Sequence, residues 1–502
     1  SIKTYPGIPV DAVESLLKNI QFNEKTEEKK MSKTGIIIVA ILVTLGLTYG
    51  LSLLLTRRKT KTGGSVSADD WEVGGRELPL YVVVGTQFAT AMGGGILVGQ
   101  VGNGFNNGLS CLLYGILCQL AFIVLMFIAK WLRSHQFATV PEILTHYTGQ
   151  SKAVRIIAGV MTIVVPFGWC CSNLTAFAKL YSPITGLSIN ALIIIMAVLS
   201  LFFIIPSGLK TVAWTDFIFG CLMVVVGVIV AVVTANMAGG MTHVIETVPS
   251  EIVEFPGVFF SVGLSTVLLW IFSLTPGGMT NQMYYQRILA AKDTNQVRKS
   301  LLISAICCMI AYVWAVIVGL SVRSMNPSLE GEMATGWLMD QMPVWVVAVF
   351  SGLVVCTILS TISSGVQSVV VNLNRDIYRV VKPDVEDKKA VKVSRILSVV
   401  IVFTAALVAM FFPQVLSLLV ITYSYSAAGL VCPIFLSYIL RKKGIITKNG
   451  IVAGMLSGIL VCAISMQFNS VVPYVIWGCL ASGIAMIVFS KLDKTNPVYL
   501  EK

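Results

Sequence analysis

Hydroxyl side chains in one apolar stretch have the spacing of a cation site. Thr357, Ser360 and Thr361 lie in VVCTILSTISSGVQS at positions i, i+3 and i+4, so a helix would present them on one face. Such hydroxyls also bond back to the preceding turn of their own helix, which alone would explain them. Uncharged oxygen ligands suit a hard monovalent cation that must also leave its site. The spacing therefore indicates a sodium site, provided that a second element brings backbone carbonyls to it.

Two glycine-rich stretches could supply those carbonyls. GTQFATAMGGGILVGQVGNG contains three consecutive glycines at 93–95, and SLTPGGMTNQ places Pro276 before two more. An interior glycine costs a helix roughly 1 kcal/mol relative to alanine, and proline removes an amide donor. In lipid, broken helix is tolerated only inside a bundle or beside a cavity. Interrupted helices in corresponding halves of a chain indicate a transporter's midplane site, although small residues for close helix packing are the alternative.

Apolar stretches long enough to cross a bilayer of about 30 Å recur along the whole chain. We predict thirteen spans, at 34–56, 79–101, 108–131, 153–176, 188–206, 211–236, 257–280, 299–323, 343–372, 391–412, 414–439, 447–466 and 472–490. The two glycine-rich stretches fall in spans two and seven. Because these spans are five apart, they fit two five-helix repeats, at 79–236 and 257–439.

Composition excludes several other classes of protein. Only 12% of the 502 residues are charged and 56% are hydrophobic, whereas a soluble domain carries about 25% charged residues. The net charge of +12 lies in short loops between apolar spans rather than on one face, so no nucleic-acid partner is predicted. The eleven cysteines include no CxxC and there are only three histidines, which argues against a metalloenzyme. No enzyme activity is predicted.

The basic residues predict how the chain sits in the plasma membrane. Loops assigned to one side hold 28 lysines and arginines, and those on the other side hold only Lys179 and Arg323. Cytoplasmic loops are enriched in such residues, so the C-terminus is predicted in the cytoplasm and the N-terminus outside. Residues 1–33 are predicted to be a polar segment, with an amphipathic stretch VDAVESLLKNI, that is either native or an extension or fragment.

Five segments, in order, resemble the sodium:solute symporter family, which includes proline, sugar, pantothenate and choline transporters. They are SADDWEVGGRELP, ATVPEILTHYTG, GLKTVAWTDFIFG, NQMYYQRILAAKD and STISSGVQSVVVNLNRDIY. The glycine-rich backbone of spans two and seven is most similar to the choline-transporter branch. The resemblance implies an all-α membrane protein with a five-plus-five inverted-repeat, leucine-transporter-like core. A peripheral first span (34–56), two C-terminal spans (447–490) and a cytoplasmic tail (491–502) would flank that core.

The resemblance also implies a sodium site shared by the family. Its ligands would be the backbone carbonyls of Ala89, Met92 and Thr357 and the hydroxyls of Ser360 and Thr361. Asp216 matches a family position linked to the path by which sodium leaves. An interfacial helix cap at Thr215 and Asp216 would explain that carboxylate equally well.

The solute side departs from the family's specific patterns. Leu274 and Gly277 stand where sugar carriers have polar and aromatic side chains. Ala91 and Asn281 stand at positions that would build an aromatic cage for a quaternary amine, and only Trp169 is retained. The residues expected to line the solute pocket are Ala91, Gly93, Gly94, Gly95, Trp169, Gly277, Gly278, Asn281, Gln282, Tyr423 and Tyr425. With no ionisable side chain expected at its centre, this pocket favours a neutral or zwitterionic solute, or a small carboxylate on helix N-termini.

We therefore predict a sodium-coupled symporter that works by alternating access, with the inverted repeats rocking about a central site. Two alternatives stay open. A proton-coupled transporter would need a titratable group near the site, and a solute sensor would keep the same core without transport. A membrane-embedded enzyme should carry clustered titratable side chains at mid-membrane, and the predicted spans contain no such cluster.

Overall fold

A computed structural model describes residues 33–50 and 78–493 of the chain, except 136, 150, 206–208, 257–260, 292 and 469. The predicted N-terminal segment therefore lies outside the described residues apart from Lys33, as do residues 51–56 of the first span and most of the predicted tail. The described part is helical, apart from turns, connections and one parallel bridge between Leu78 and Ala291.

The helices, in chain order, are α1 (Lys33–Gly50), α2 (Leu80–Ala91), α3 (Gly95–Asn107), α4 (Ser110–Ser134), α5 (Val140–Tyr147), α6 (Lys152–Thr185), α7 (Ile189–Ile204), α8 (Leu209–Met237), α9 (Met241–Thr247), α10 (Leu264–Met279), α11 (Gln282–Ala290), α12 (Thr294–Met325), α13 (Ala334–Gln341), α14 (Val344–Val381), α15 (Asp387–Phe411), α16 (Val415–Leu440), α17 (Lys448–Ser465) and α18 (Tyr474–Leu492).

The prediction of a polytopic α-helical membrane protein is confirmed. Ten of the described helices are long and apolar enough to cross a membrane, and α2 with α3 forms an eleventh span that is bent by 50°. The shorter helices α7 and α10 have 16 residues each and occupy the two remaining predicted spans. At 1.5 Å per residue, 16 residues rise only about 24 Å. Helix α10 is followed by α11 after a two-residue break at Thr280 and Asn281.

Burial separates the central helices from the peripheral ones. In the most apolar window of α14, 89% of the residues are buried, whereas the corresponding share for α1 is 11%. Helix α14 packs against α6, α8 and α15 and also touches α2. The hydroxyl-bearing stretch of the sequence therefore runs through the middle of the bundle. The large apolar side chains that remain exposed, such as Phe127, Phe202 and Phe411, are those expected to face lipid.

Candidate functional site

The second span is broken at its glycines. Helix α2 ends at Ala91, Met92 and Gly93 form a turn, and α3 begins at Gly95 with π-type turns. The amides of Ile96 and Leu97 both donate to the carbonyl of Gly93, at 3.1 Å each. The amide of Gly94 instead donates to Asn173 Oδ1 of α6 at 2.7 Å. The regular backbone ladder is therefore interrupted where the sequence predicted it.

A side chain of α14 takes over one of the freed backbone groups. In a continuous α-helix the amide of Gly94 would bond to the carbonyl of Thr90, four residues earlier. That carbonyl accepts from Thr361 Oγ1, at 3.1 Å. The same hydroxyl lies 2.9 Å from the carbonyl of Thr357 in its own helix. The hydroxyl face of α14 is thus in direct contact with the break in α2.

Gly93 and Gly94 are required as glycines because side chains of neighbouring helices approach them closely. A Cβ atom on Gly93 would lie 2.5 Å from Thr361 Oγ1, and one on Gly94 would lie 2.3 Å from the Cβ of Ala176. At Gly95 the nearest atom would be a side-chain methyl of Leu419, at 3.3 Å. Any larger residue at the first two positions would push α14 or α6 away from the broken backbone.

The five residues implied as sodium ligands lie in this region and are buried: Ala89, Met92, Thr357, Ser360 and Thr361. Thr361 meets the break as described, and Ser360 Oγ donates to the carboxylate of Asp216 on α8. A hydroxyl that gives its hydrogen away in this manner keeps its oxygen lone pairs for another partner. The assignment of these five groups to sodium remains a prediction.

Asp216 is fully buried, and it is not a helix cap. It lies seven residues after the start of α8, so the interpretation of Thr215 and Asp216 as an interfacial cap is wrong. Its carboxylate accepts from Thr86 Oγ1 at 2.6 Å, in addition to Ser360. Arg287 Nη2 lies 3.8 Å from Asp216 Oδ2, which makes a buried ion pair. A buried charge requires such compensation.

Arg287 was missed by the sequence analysis, which counted it among the basic residues of a cytoplasmic loop. It lies within α11 and is 2% exposed. Besides facing Asp216, its guanidinium donates to Thr90 Oγ1 at 2.7 Å and Ser364 Oγ at 2.9 Å, and it also reaches Thr86 Oγ1 and the carbonyl of Met283. An ionisable residue within the membrane is a functional candidate by default, but the span predicted at 257–280 ends before Arg287, so this signal did not apply.

A cavity opens beside the break, between α2, α3, α4, α6, α11, α12 and α16. Four of the predicted pocket residues line it: Ala91, Gly95, Trp169 and Tyr423. The other lining residues are Gln87, Thr90, Ile96, Gln100, Tyr114, Cys118, Gln119, Phe122, Asn173, Met283, Tyr284, Arg287, Cys308, Tyr312 and Leu419. Arg287 is among them, so a charged side chain borders the cavity, whereas the sequence analysis considered only the centre of the pocket and expected no ionisable side chain there.

The two remaining glycines of the predicted pocket lie in a helix-packing contact. Helix α10 continues through Pro276 and ends at Met279, so the break in span seven comes at Thr280 and Asn281, later than predicted. A Cβ atom on Gly277 would lie 2.4 Å from the carbonyl oxygen of Tyr423, and one on Gly278 would lie 2.8 Å from the Cβ of Ala121.

Three predicted polar pocket residues make other contacts. The side chain of Asn281 caps α11, where it accepts from the amide of Met283 at 3.0 Å. The amide of Gln282 bonds to the carbonyl of Ala138 and the amide of Val140, so it ties α11 to the start of α5. Tyr425 is half-buried, with its hydroxyl 3.7 Å from Met466 Sδ. These three side chains, like Gly93 and Gly94, are not among the residues that line the cavity.

Asn173 connects the break with the cavity. Its Oδ1 holds the amide of Gly94, its Nδ2 donates to the carbonyl of Trp169 at 2.8 Å, and the residue itself lines the cavity. The indole Nε1 of Trp169 in turn donates to the hydroxyl of Tyr423 at 3.2 Å. The backbone beside the predicted ion site and the wall of the cavity therefore share one hydrogen-bonded chain.

Comparison with known proteins identifies the family. The model of the sodium:solute symporter family matches residues 71–458. The chain belongs to this family. Among its relatives is a sodium/proline symporter of Escherichia coli (strain K12), 25% identical over 458 residues, which cover 86% of this chain and 90% of the relative. A sodium/glucose cotransporter of Vibrio parahaemolyticus is also 25% identical, over 86% of this chain and 85% of its own.

Solved structures share the fold. A sodium-coupled sialic acid symporter, in a substrate-bound outward-open state, superposes with a TM-score of 0.80 at 17% identity and covers 93% of this chain and 99% of its own. Mhp1, a nucleobase-cation-symport-1 family transporter, gives 0.59 at 14% identity over 86% and 96%. The leucine-transporter-like fold and sodium-coupled symport across a membrane are therefore confirmed, in a family that consists of transporters. The likeness to the choline branch stays a prediction.

Proposed function

We propose that this sodium-coupled symporter holds its driving ion between the break in α2 and the hydroxyl face of α14. The ligands are the carbonyls of Ala89, Met92 and Thr357 and the hydroxyls of Ser360 and Thr361. The observation that carries the proposal is the contact of Thr361 Oγ1 with the carbonyl of Thr90, because it brings an α14 hydroxyl to the place where the α2 ladder is open. A monovalent ion is well served by such neutral oxygens.

The transported solute occupies the cavity beside the break, against Ala91, Gly95, Trp169 and Tyr423. It is a neutral or zwitterionic molecule or a small carboxylate. The cavity has a volume of about 50 Å³. This is well below the roughly 300–1,000 Å³ of typical ligand pockets, which favours a small solute.

Sodium and solute are coupled through Asn173. An ion at the break orders Met92 and Gly93, and Asn173 holds the next amide while its own side chain lines the cavity and donates to the backbone carbonyl of Trp169, one turn earlier in α6. Each ligand therefore stabilises an arrangement that the other requires. By linkage, sodium raises the affinity for solute and solute raises the affinity for sodium by the same factor. The repeats at 79–236 and 257–439 then alternate the exposure of the site between the two sides.

The orientation has the C-terminus in the cytoplasm and the N-terminus outside. The distribution of basic residues supports it, even with Arg287 removed from the loop count. Lys179, one of the two basic residues assigned to the outer side, is engaged by Glu330 at 3.0 Å and Glu332 at 2.7 Å. In the variant Ser188→Cys, in the loop before α7, a membrane-impermeant maleimide added outside intact cells should label more cysteine than in the parent protein, whose native Cys221 is also exposed. Labelling only after permeabilisation would reverse the orientation.

Binding of radioactive sodium-22 to the purified protein tests the assigned ion site. In the double variant Ser360→Ala with Thr361→Ala, saturable binding at fixed pH should be lost. The matched control is Ser351→Ala with Thr234→Ala, which also removes two buried hydroxyls, one of them earlier in α14, and should bind sodium like the parent protein. Undiminished binding in the first variant would refute the site. Solute uptake by the parent protein that is driven by a sodium gradient but not by a proton gradient would establish sodium rather than proton coupling.

A further inference from the structure

We propose that the solute is a small organic acid that also carries a hydrogen-bond donor, as an amino acid or a hydroxy acid does. Its carboxylate faces Gln87 and Arg287, and its donor faces Gln119. The inference rests on the proposed function, in that the cavity beside the break is taken as the solute site. It is drawn from the polar groups of the cavity wall that have no partner within the protein.

Gln87 offers a donor to the cavity. Its side chain is buried, and its Oε1 accepts from Ser304 Oγ of α12. This bond orients the amide, because the oxygen faces the serine and the nitrogen faces away. Nε2 has no hydrogen-bond partner among the described residues. A buried donor without a partner costs about 1–3 kcal/mol, and a solute acceptor would recover that free energy.

Arg287 gives the same part of the wall a positive charge. It is the one formally charged residue among the described residues that line the cavity. Asp216, which balances it, is not among them and is itself held by Thr86 and Ser360. The guanidinium has five N–H groups, and four hydrogen bonds to protein atoms use four of them. The wall thus provides the Gln87 donor beside a guanidinium that is already paired with Asp216 and has one N–H group left, and a carboxylate can accept from such donors.

Gln119 supplies the opposite chemistry from α4. Its side chain is 7% exposed, and its Oε1 has no partner among the described residues. An acceptor of this kind selects a solute with a hydroxyl or an amino group, because a solute without one would leave the oxygen buried and unpaired. No carboxylate lines the described cavity wall to bind a bare cation. A molecule with an acidic end and a donor satisfies both glutamines.

Much of the rest of the wall is aromatic, with Phe122, Tyr284, Tyr114 and Tyr312 among the lining residues. The rings of Phe122 and Tyr284 are tilted by 40° with centroids 4.5 Å apart, and the centroids of Tyr114 and Tyr312 lie 6.3 Å apart. Such rings accommodate the hydrocarbon part of a solute.

Sets of matched compounds test this solute class. Each set contains four compounds that share one carbon skeleton, that of alanine, valine or phenylalanine. The four compounds are the amino acid, the corresponding hydroxy acid, the plain acid without an amino or hydroxyl group, and the amide of the amino acid. Glucose and choline complete the panel. Binding to the purified protein is measured by calorimetry in sodium and in potassium. In at least one set, the amino or hydroxy acid should bind at least about tenfold more tightly than both the plain acid and the amide.

Several outcomes would overturn the proposal: an amide or plain acid that binds as tightly, a preference for glucose or choline, or no binding by any acid. Sodium-dependent binding of glucose or choline would leave the proposed function intact and refute only the solute class. Binding of every active compound with equal affinity in potassium would instead refute the proposed coupling.

Variants test the roles proposed for Gln87 and Gln119. Gln87→Leu should lower the affinity for the preferred acid at least about tenfold and leave the affinity for its amide almost unchanged. Gln119→Leu should abolish the difference between that acid and the plain acid. Gln341→Leu, on the exposed end of α13, is the matched control and should behave like the parent protein. Binding of sodium-22 shows whether each variant is folded. If Gln87→Leu loses sodium binding, Gln87→Glu replaces it, because this substitution keeps the side-chain volume and repels a carboxylate. Unchanged selectivity in the folded variants would contradict the assignment.

Discussion

The buried pair of Asp216 and Arg287 should stabilise the transporter as a unit. Their closest atoms, Oδ2 and Nη2, are 3.8 Å apart and both side chains are almost fully buried. With an effective dielectric constant of about 20, their attraction is about 4 kcal/mol. Removing one partner leaves the other as a buried charge, and this typically costs about 3–5 kcal/mol. We therefore expect either single substitution, Asp216→Asn or Arg287→Gln, to lower the free energy of unfolding by that amount.

The double variant should be less destabilised than the sum of the two single variants, because no unpaired charge remains. We expect a coupling energy of about 2–3 kcal/mol, in the upper range for residues in contact. SDS titration in mixed micelles, followed by tryptophan fluorescence, measures the free energies. Glu246→Gln removes an exposed carboxylate on α9 and should change stability by less than about 0.5 kcal/mol. Strict additivity of the two single substitutions would refute the reasoning.

Three further predictions concern the break and the cavity. Gly93→Ala should weaken sodium-22 binding by about fivefold or more, because the new Cβ would lie 2.5 Å from Thr361 Oγ1 and overpacking costs about 1–3 kcal/mol. A sodium affinity equal to that of the parent protein would contradict the contact. Gly277→Ala should lower the thermal unfolding temperature, since its Cβ would lie 2.4 Å from the carbonyl of Tyr423, and an unchanged temperature would be the contrary result. Trp169→Phe removes the hydrogen bond to the Tyr423 hydroxyl and should reduce the affinity for solute about fivefold. A change in the affinity for sodium, measured without solute, would contradict the assignment of Trp169 to the solute cavity alone.

The fold and the broken helix were predictable because their signals are local. Hydrophobic length gives each span, and consecutive glycines mark the place where backbone leaves the helical ladder. The position of the break in span seven was less accurate. Proline was expected to interrupt the helix at Pro276, but α10 continues past it and ends three residues later, at Met279. Neighbouring helices in a membrane bundle can satisfy the backbone groups that a proline frees.

The polar groups around the cavity could be predicted only in part, because they are brought together by packing between distant helices. Trp169 and Tyr423 were expected, and they meet across 254 positions of the chain. Gln87, Gln119 and Arg287 were not, since each lies in a helix whose facing partners the sequence does not reveal. Gln282 was expected in the pocket because it follows the break, but helical rotation turns its amide towards Ala138 and Val140.

The central claim is that the backbone between α2 and α3 is open and that an alkali ion bridges it to α14. A high-resolution structure of the protein in sodium, compared with one in potassium, tests this most directly. We expect density for an ion among the carbonyls of Ala89 and Met92 and the hydroxyls of Ser360 and Thr361, in sodium only. A structure in sodium with no ion there, and with the amide of Gly94 bonded to the carbonyl of Thr90 in a continuous helix, would contradict the claim.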